Sequence, residues 1–396
     1  MLYRVTRRRL VGSMAAMGLV GPSLLAAACK TKPGDTGPGG DTGPGGDTGD
    51  SGDTDDTGSP ASTPAADGFS MPAETDPHAG CIMQFPPPDN YCSGGQTDCT
   101  LIQRARAEWV ATALAIAEQE PVAMYVAPDD MARAKKLLGG AVTLLEAPLD
   151  DGWSRDSAPV FLRNPDGVVR AACFQFNGWG ESYSYDKDAL VKWRMAEDLG
   201  VATYDHPMVL EGGAVMVDGE GTLVTTQECL LHDTRNPHLS QAQQEQILKD
   251  YFGVTRVIWL ENGWVPDPIT NGHVDGIAAF VSPGVVLLNS IPQGEDPTNH
   301  AILESARVAF EAASIEVIRL PATSWTAYHI NFYVANGAVI VPIEGRASVD
   351  DTPLSIIREA FPGYRVVGVE GNALGESGGG IHCITQQVPE GVIWPF

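Results

Sequence analysis

Glu211-Gly212-Gly213-Ala214-Val215-Met216-Val217-Asp218-Gly219-Glu220-Gly221-Thr222-Leu223-Val224-Thr225-Thr226 is the stretch whose pattern reveals the fold. A polar cluster opens it, and two apolar runs, 214–217 and 222–226, follow around a glycine-rich turn. Such turns between β-branched runs are strong hairpin signals. The pattern recurs. Arg155-Asp156 precedes runs 158–163 and 168–176 around Asn164-Pro165-Asp166-Gly167. His273-Val274-Asp275 precedes a turn at Ser282-Pro283-Gly284 and a run 285–289. Asn331 precedes Asn336-Gly337 and a run 338–342, and Gly378-Gly379-Gly380-Ile381-His382-Cys383 opens the last case. The openers stand at 156, 211, 273, 331 and 383, with spacings between 52 and 62 residues.

Helical patterns fill most of the intervals. In 100–119, Ile102, Trp109, Ala113 and Ile116 share a face. Ser240 and Gln243 form a capping box for 241–252, which Gly253 ends. Ile302, Ala306, Ala309, Phe310 and Ala313 make a stripe in 299–313, and Thr352-Pro353 is expected to start a helix ending before Pro362. A sheet unit and a helix per repeat means radial or solenoid repetition. In a closed ring the openers would converge on the axis; the competing reading is five unrelated loop residues. The expected class is α/β, with five modules.

The chain has 396 residues, 43% of them apolar, and a net charge of −25. Residues 67–396 alone carry 19 basic and 43 acidic residues. Such acidity excludes a nucleic-acid binder, which needs a basic face, and favours cationic small molecules. Residues 1–28 read as an export signal, with Arg7, Arg8 and Arg9 before a weakly apolar run in the twin-arginine manner. Ala26-Ala27-Ala28-Cys29 resembles a lipoprotein cleavage site, with an ordinary cleaved signal as the alternative. Lipidated Cys29 would make the lipid anchor the only membrane contact, in the periplasm or at the cell surface. Residues 29–66, rich in Gly, Asp and Thr, read as a disordered tether; calcium binding by Asp50, Asp53, Asp55 and Asp56 is the weaker reading. Residues 67–396 are the expected catalytic domain.

The openers gather Asp156, Glu211, His273 with Asp275, Asn331 and Cys383. A thiol, an imidazole and several carboxylates at one centre suit nucleophilic attack on a cationic carbon. Carboxylates accept the paired N–H groups of a planar cation. On a strand, His273 and Asp275 would share a face, and His382 would point behind the site, opposite Cys383. Zinc is the rival reading. There is no C-x-x-C pair and no second histidine near His273, so no metal is expected. No phosphate-binding glycine motif is present either. Glycines 378–380 would let the backbone approach the substrate. Of seven cysteines, Cys92 and Cys99 flank a polar loop and are expected to form a disulfide in an oxidising compartment. Cys81, Cys173 and Cys229 read as buried small hydrophobes.

These residues resemble the agmatine deiminase and Porphyromonas-type peptidylarginine deiminase family of guanidine-modifying enzymes. The shared motifs are Met71-Pro72-Ala73-Glu74, Trp153-Ser154-Arg155-Asp156-Ser157-Ala158-Pro159, Leu210-Glu211-Gly212-Gly213, Thr270-Asn271-Gly272-His273-Val274-Asp275, Asn331-Phe332-Tyr333 and 378–387. The resemblance implies a pentein-like propeller of five pseudo-symmetric modules and hydrolytic deimination without a cofactor. It implies Cys383 as nucleophile, His273 as general acid and base, Asp156 and Asp275 as guanidinium-binding carboxylates, and Glu211 as the partner of the histidine. Trp153, Asn331, Gly379 and Gly380 would line the pocket. Agmatine, converted to N-carbamoylputrescine, is the default substrate; arginine in peptides, or a catalytically silent arginine-binding protein, are the alternatives. Three positions depart from the agmatine-specific pattern. Pro268-Ile269 replaces an acidic pair, Ala214 stands where Asn or Ser is common, and His329, after Tyr328, stands where Tyr is common. Ile269 is expected to weaken binding of the distal ammonium. The sequence sets no oligomeric state.

Overall fold

The computed structural model describes residues 62–88, 91–92, 99–322 and 329–396. The export signal, most of the tether and Cys29 lie outside them. Residues 62–66 were expected in the tether but pack with the domain: the Ala65 N–H donates to the Asp250 carbonyl at 2.9 Å. Among the described residues, no helix is long and apolar enough to cross a membrane.

Sixteen strands form five small sheets among the described residues. The first module holds β1 (His78–Gln84), β2 (Val122–Val126) and β3 (Thr143–Glu146). The second holds β4 (Val160–Arg163), β5 (Val169–Gln175) and β6 (Thr203–Val209). The third holds β7 (Val215–Val217), β8 (Thr222–Thr226) and β9 (Arg256–Leu260). The fourth holds β10 (Ala278–Ser282), β11 (Val285–Ser290) and β12 (Glu316–Pro321). The fifth holds β13 (Tyr333–Ala335), β14 (Ala338–Ile343) and β15 (Arg365–Glu370). The final strand, β16 (Thr385–Pro389), pairs antiparallel with β1 and completes the first sheet in the order β16-β1-β2-β3.

Modules two to five share one topology. An antiparallel hairpin supplies two strands, and a third joins the second in parallel. A parallel neighbour requires a crossover, and a helix provides it each time: Asp188–Asp198, Gln241–Phe252, Pro297–Ala312 and Ala347–Ala360. Thr100–Ala117 plays that part between β1 and β2. The middle strands are almost wholly buried, as strands covered on both faces must be. This is the α/β, five-module pentein-like architecture.

Local details follow the residues. Ser240 and Gln243 close a reciprocal capping box, and Gly253 ends that helix at φ +65°. Two expectations need correction. The openers are not strand residues: they stand on or beside short helical turns, Ser154–Ser157, Gly212–Ala214, Val274–Gly276 and His382–Ile384, just ahead of β4, β7, β10 and β16. His273 and Asp275 therefore do not share a strand face. The helix expected to start at Thr352-Pro353 starts at Ala347, with Pro353 inside it. Asp350 makes the early start possible, because its carboxylate accepts the Glu344 and Arg346 N–H groups.

Candidate active site

The helical turns place their polar side chains around one glycine. A Cβ on Gly213 would stand 2.6 Å from His273 Nδ1, 3.0 Å from Asp156 Oδ1 and 3.0 Å from Asp275 Oδ2. Only glycine leaves room for the three to meet. Three of the five openers, those at 156, 211 and 273, bear directly on this point; Cys383 joins through Asp275, and Asn331 through Cys383. The Asn331 Oδ1 accepts the Cys383 N–H at 3.3 Å and lies 3.4 Å from its Sγ. Asn331 Nδ2 in turn donates to the Asp275 carbonyl.

The two aspartates are held differently. Asp156 accepts the Trp179 indole N–H at 2.9 Å and the Gly213 amide at 3.0 Å. Burial pushes its carboxyl above the usual range; the His273 charge opposes this, while Asp275 and Glu211 add to it. Asp275 lies 2.9 Å from His382 Nδ1. The other His382 nitrogen meets Glu74 at 2.8 Å, and Arg155 lies 3.4 Å from the same Glu74 oxygen. Burial would raise Asp275, but the His382 hydrogen bond and charge outweigh it and hold the carboxyl below its usual range.

His273 is 4% exposed and stands between both groups of carboxylates. Its Nδ1 is 3.8 Å from Asp156 and its Nε2 is 3.7 Å from Glu211. Burial alone would lower the imidazole; Asp156 first, then Cys229 and Glu211, outweigh burial and hold it well above its ordinary value. Glu211 is fully buried. Burial would raise it, yet the His273 imidazole 3.7 Å away and the Arg235 guanidinium 2.7 Å away keep it low. Arg235 also donates to Asn271 and to the Thr270 carbonyl, which ties the histidine loop to Glu211.

Cys383 Sγ lies 3.5 Å from Asp275 Oδ2. Burial, then Asp275 and Asp156, push the thiol well above its usual value. Two lobes of a cleft, about 210 and 230 Å³, meet at this sulfur. The first is lined by Trp153, Asp156, Trp179, Tyr183, Asp151 and Glu376, among others. Gly379 and Gly380 line the second. A Cβ on Gly379 would stand 2.6 Å from Trp153 and 3.2 Å from the sulfur, so glycine lets indole and nucleophile close on one point. Ile269 lines both lobes and packs on Gly378. Although Ile269 is apolar, the wall around it retains the carboxylates Asp151 and Glu376.

Other sequence candidates stand elsewhere. His329 is buried and meets Asp350 at 2.8 Å, so it braces the Ala347–Ala360 helix. Ala214 is buried and its carbonyl accepts the Thr225 hydroxyl. Cys92 and Cys99 are joined by a disulfide. Cys81, Cys173 and Cys229 are free and buried, but Cys229 lies 3.9 Å from Glu211, against the histidine rather than in a purely apolar wall. Sequence reasoning passed over Trp179, Arg235 and the roles of Glu74 and Arg155. Trp179 had a signal, since Gly178 and Gly180 flank it. It adopts φ +54°, a conformation costly for a bulky residue and one that concentrates at functional sites.

Residues 70–389 match the Porphyromonas-type peptidyl-arginine deiminase family. An agmatine deiminase from Medicago truncatula is 37% identical over 374 residues, covering 83% of this chain and 98% of its own. One from Pseudomonas aeruginosa is also 37% identical, covering 84% and 98%. The structure of the Enterococcus faecalis agmatine deiminase superposes with a TM-score of 0.77 at 31% identity, covering 84% of this chain and 98% of that one. These likenesses extend across all five modules and through the helical turns that carry Asp156, Gly213, Asp275 and Cys383. The chain is thus a hydrolase of C–N bonds in linear amidines, and it belongs to the Porphyromonas-type peptidyl-arginine deiminase family.

Proposed function

We propose that the protein deiminates agmatine. The observation that carries this reading is the charge layout of the cleft: Asp156 faces Cys383, Asp151 and the half-exposed Glu376 line the same lobe, and among the described residues no Lys or Arg lines it. A guanidinium suits Asp156 beside the thiol, and an ammonium suits the other two carboxylates. The α-carboxylate of free arginine would meet Asp151 and Glu376 rather than a lining cation.

The thiol becomes reactive when the substrate arrives, because a guanidinium beside Asp275 and Asp156 cancels the charges that hold Cys383 protonated. The thiol gives up its proton to solvent as the cation docks, and the thiolate adds to the guanidinium carbon. His273, kept protonated by its carboxylates, gives its proton to the departing nitrogen, and ammonia leaves a positively charged thiouronium on Cys383. The now neutral imidazole takes a proton from water, whose oxygen adds to the same carbon. Collapse breaks the C–S bond, and the hydroxyl proton of the adduct returns to the sulfur as the ureido carbonyl forms. Asp156 and Asp275 hold the cation throughout, and Glu211 stabilises the imidazolium.

Ammonia release from agmatine, arginine and an arginyl peptide tests the reading, with Cys383→Ser as control. Agmatine is expected to give the highest kcat/KM. A higher value for the peptide would replace it with the peptidylarginine reading, and background rates from all three would leave a silent binding protein. We also propose export as a lipoprotein, supported by Arg7-Arg8, the 26–29 cleavage pattern and the Gly/Asp/Thr tether. Cys29→Ala is expected to release activity from the membrane fraction. Unchanged sedimentation with membranes would refute the anchor.

A further inference from the structure

Behind the catalytic histidine lies a thiol that deimination does not use. Cys229 comes from the short helix Gln227–Leu230, Glu211 from the turn ahead of β7, and His273 from the turn ahead of β10. No sequence motif links them. The fold nevertheless brings one oxygen, one sulfur and one nitrogen within 4.8 Å of one another. Glu211 Oε2 is 3.7 Å from His273 Nε2 and 3.9 Å from Cys229 Sγ.

We propose that Glu211, Cys229 and His273 form a zinc-binding site whose occupation inhibits the enzyme. Zinc–ligand lengths near 2.0–2.3 Å at tetrahedral angles put ligand atoms roughly 3.3–3.7 Å apart. The two Glu211 edges, 3.7 and 3.9 Å, lie within a few tenths of an ångström of this, and the Cys229–His273 edge, within 4.8 Å, has to close by about 1 Å at most. Carboxylate, thiolate and imidazole together are a zinc-type donor set.

A second observation points to a ligand. His273 Nε2 is buried and has no hydrogen-bond partner. Buried polar atoms rarely remain unpaired, and this one faces the other two donors. Arg235 occupies Glu211 Oε1, so Oε2 stays turned toward the cluster. Such an outer partner orients a metal ligand. His273 also lines the open cleft, which gives an ion a route inward.

Binding replaces the Cys229 S–H and the His273 Nε2–H with bonds to zinc and releases both protons to solvent. His273 binds through its Nε2 lone pair and keeps a single proton on Nδ1. An imidazole fixed in this way cannot cycle between acid and base. The ion lies on the far side of the ring from the substrate, so it lowers kcat and leaves KM unchanged. Zinc on Cys383 would instead compete with substrate.

The binding test does not depend on turnover, so it can fail separately from the deiminase reading on which the kinetic consequence rests. Cys383→Ala protein, which lacks the nucleophilic thiol, is titrated with zinc by calorimetry and with cobalt(II) by absorption. One ion per chain, X-ray absorption showing one sulfur among nitrogen and oxygen ligands, and a thiolate-to-cobalt charge-transfer band are expected. The band should vanish when Cys229→Ser or Cys229→Ala is added; two replacements keep one folding defect from deciding the result. No binding to Cys383→Ala, a shell without sulfur, or a band that survives loss of Cys229 would each overturn the site. In protein with Cys383 intact, zinc inhibition of kcat should weaken at least tenfold on Cys229→Ser. Unchanged inhibition, or inhibition relieved by substrate, overturns the mechanism.

Discussion

Asp156 and Asp275 are two buried aspartates beside one substrate cation, yet their surroundings pull them in opposite directions. Asp156 rests on an indole N–H and a backbone amide, both neutral, and its carboxyl is pushed up by burial. Asp275 is backed by His382, Glu74 and Arg155, and its carboxyl is pulled down. The contrast teaches that one cation can be held by carboxylates of unequal commitment. Asp275 is an anion whether or not substrate is present. Asp156 is the partner whose charge burial opposes, and a docking guanidinium relieves that opposition.

The largest test breaks the fixed anion. Asp275→Asn is expected to lower kcat/KM at least ~10³-fold, a transition-state loss of about 4 kcal/mol. The same change removes the charge that keeps Cys383 protonated, so iodoacetamide should alkylate that thiol faster than in wild type at neutral pH. Slower alkylation would mean that Asp275 does not suppress the resting nucleophile.

Trp179→Phe probes the other side. Losing a hydrogen bond to a charged group costs about 1.5–3 kcal/mol. The expected effect is a rise of roughly tenfold or more in KM for agmatine, with a smaller change in kcat. A kcat effect alone would show that the indole acts on chemistry rather than on the resting carboxylate.

Glu74→Gln tests the backing of Asp275 through pH. Burial would raise Glu74, but the His382 and Arg155 charges lower it to about 2. A depressed carboxyl contributes fully above its usual 4.5, and that contribution is lost as pH falls through about 2. His382 runs the other way. Burial and Arg155 lower it, Glu74 and Asp275 more than restore it, and its raised value gives stability below 6.5 that is lost as pH climbs through that value. Glu74→Gln should therefore destabilise most between pH 4.5 and 6.5, by about 1–3 kcal/mol, and least near pH 2. Urea unfolding across that range checks the sign; a penalty that grows toward pH 2 would contradict it.

The smallest effect extends the comparison to a third carboxylate. Glu376 at the cleft mouth is paired with Arg104 at 2.8 Å, with both side chains half-exposed. Arg104→Ala should change stability by under about 1 kcal/mol. It should also raise the preference for agmatine over a neutral alkylguanidine by a few-fold, since Glu376 is freed for the ammonium. A falling preference would remove Glu376 from substrate recognition.

The modules were legible because Asn-Gly, Asp-Gly and Pro-Gly turns punctuate short apolar runs at a near-constant interval, and each turn forces a local geometry. Cys383, His273 and the carboxylates were legible through that same interval. Their helical turns were not, since a three-residue turn leaves no periodicity. Pro353 misled because proline commonly starts helices, while the true start depends on Asp350, four positions in, accepting backbone N–H groups. Arg235 and Cys229 were illegible for a different reason. An arginine in 233–236 and a cysteine in an apolar run acquire meaning only when β7, β8 and the histidine loop come together.

The pairing of β16 with β1 has a consequence for the making of the protein. Cys383 directly precedes β16, so the reactive sulfur is the last of the active-site groups to emerge during synthesis, and it reaches the carboxylates when the late strand finds the earliest one. A chain halted before residue 383 can build four complete modules and both aspartates and still carry no thiol among them. Turnover in a cell extract therefore counts finished and closed molecules, whereas an antibody against the early modules would also count abandoned ones.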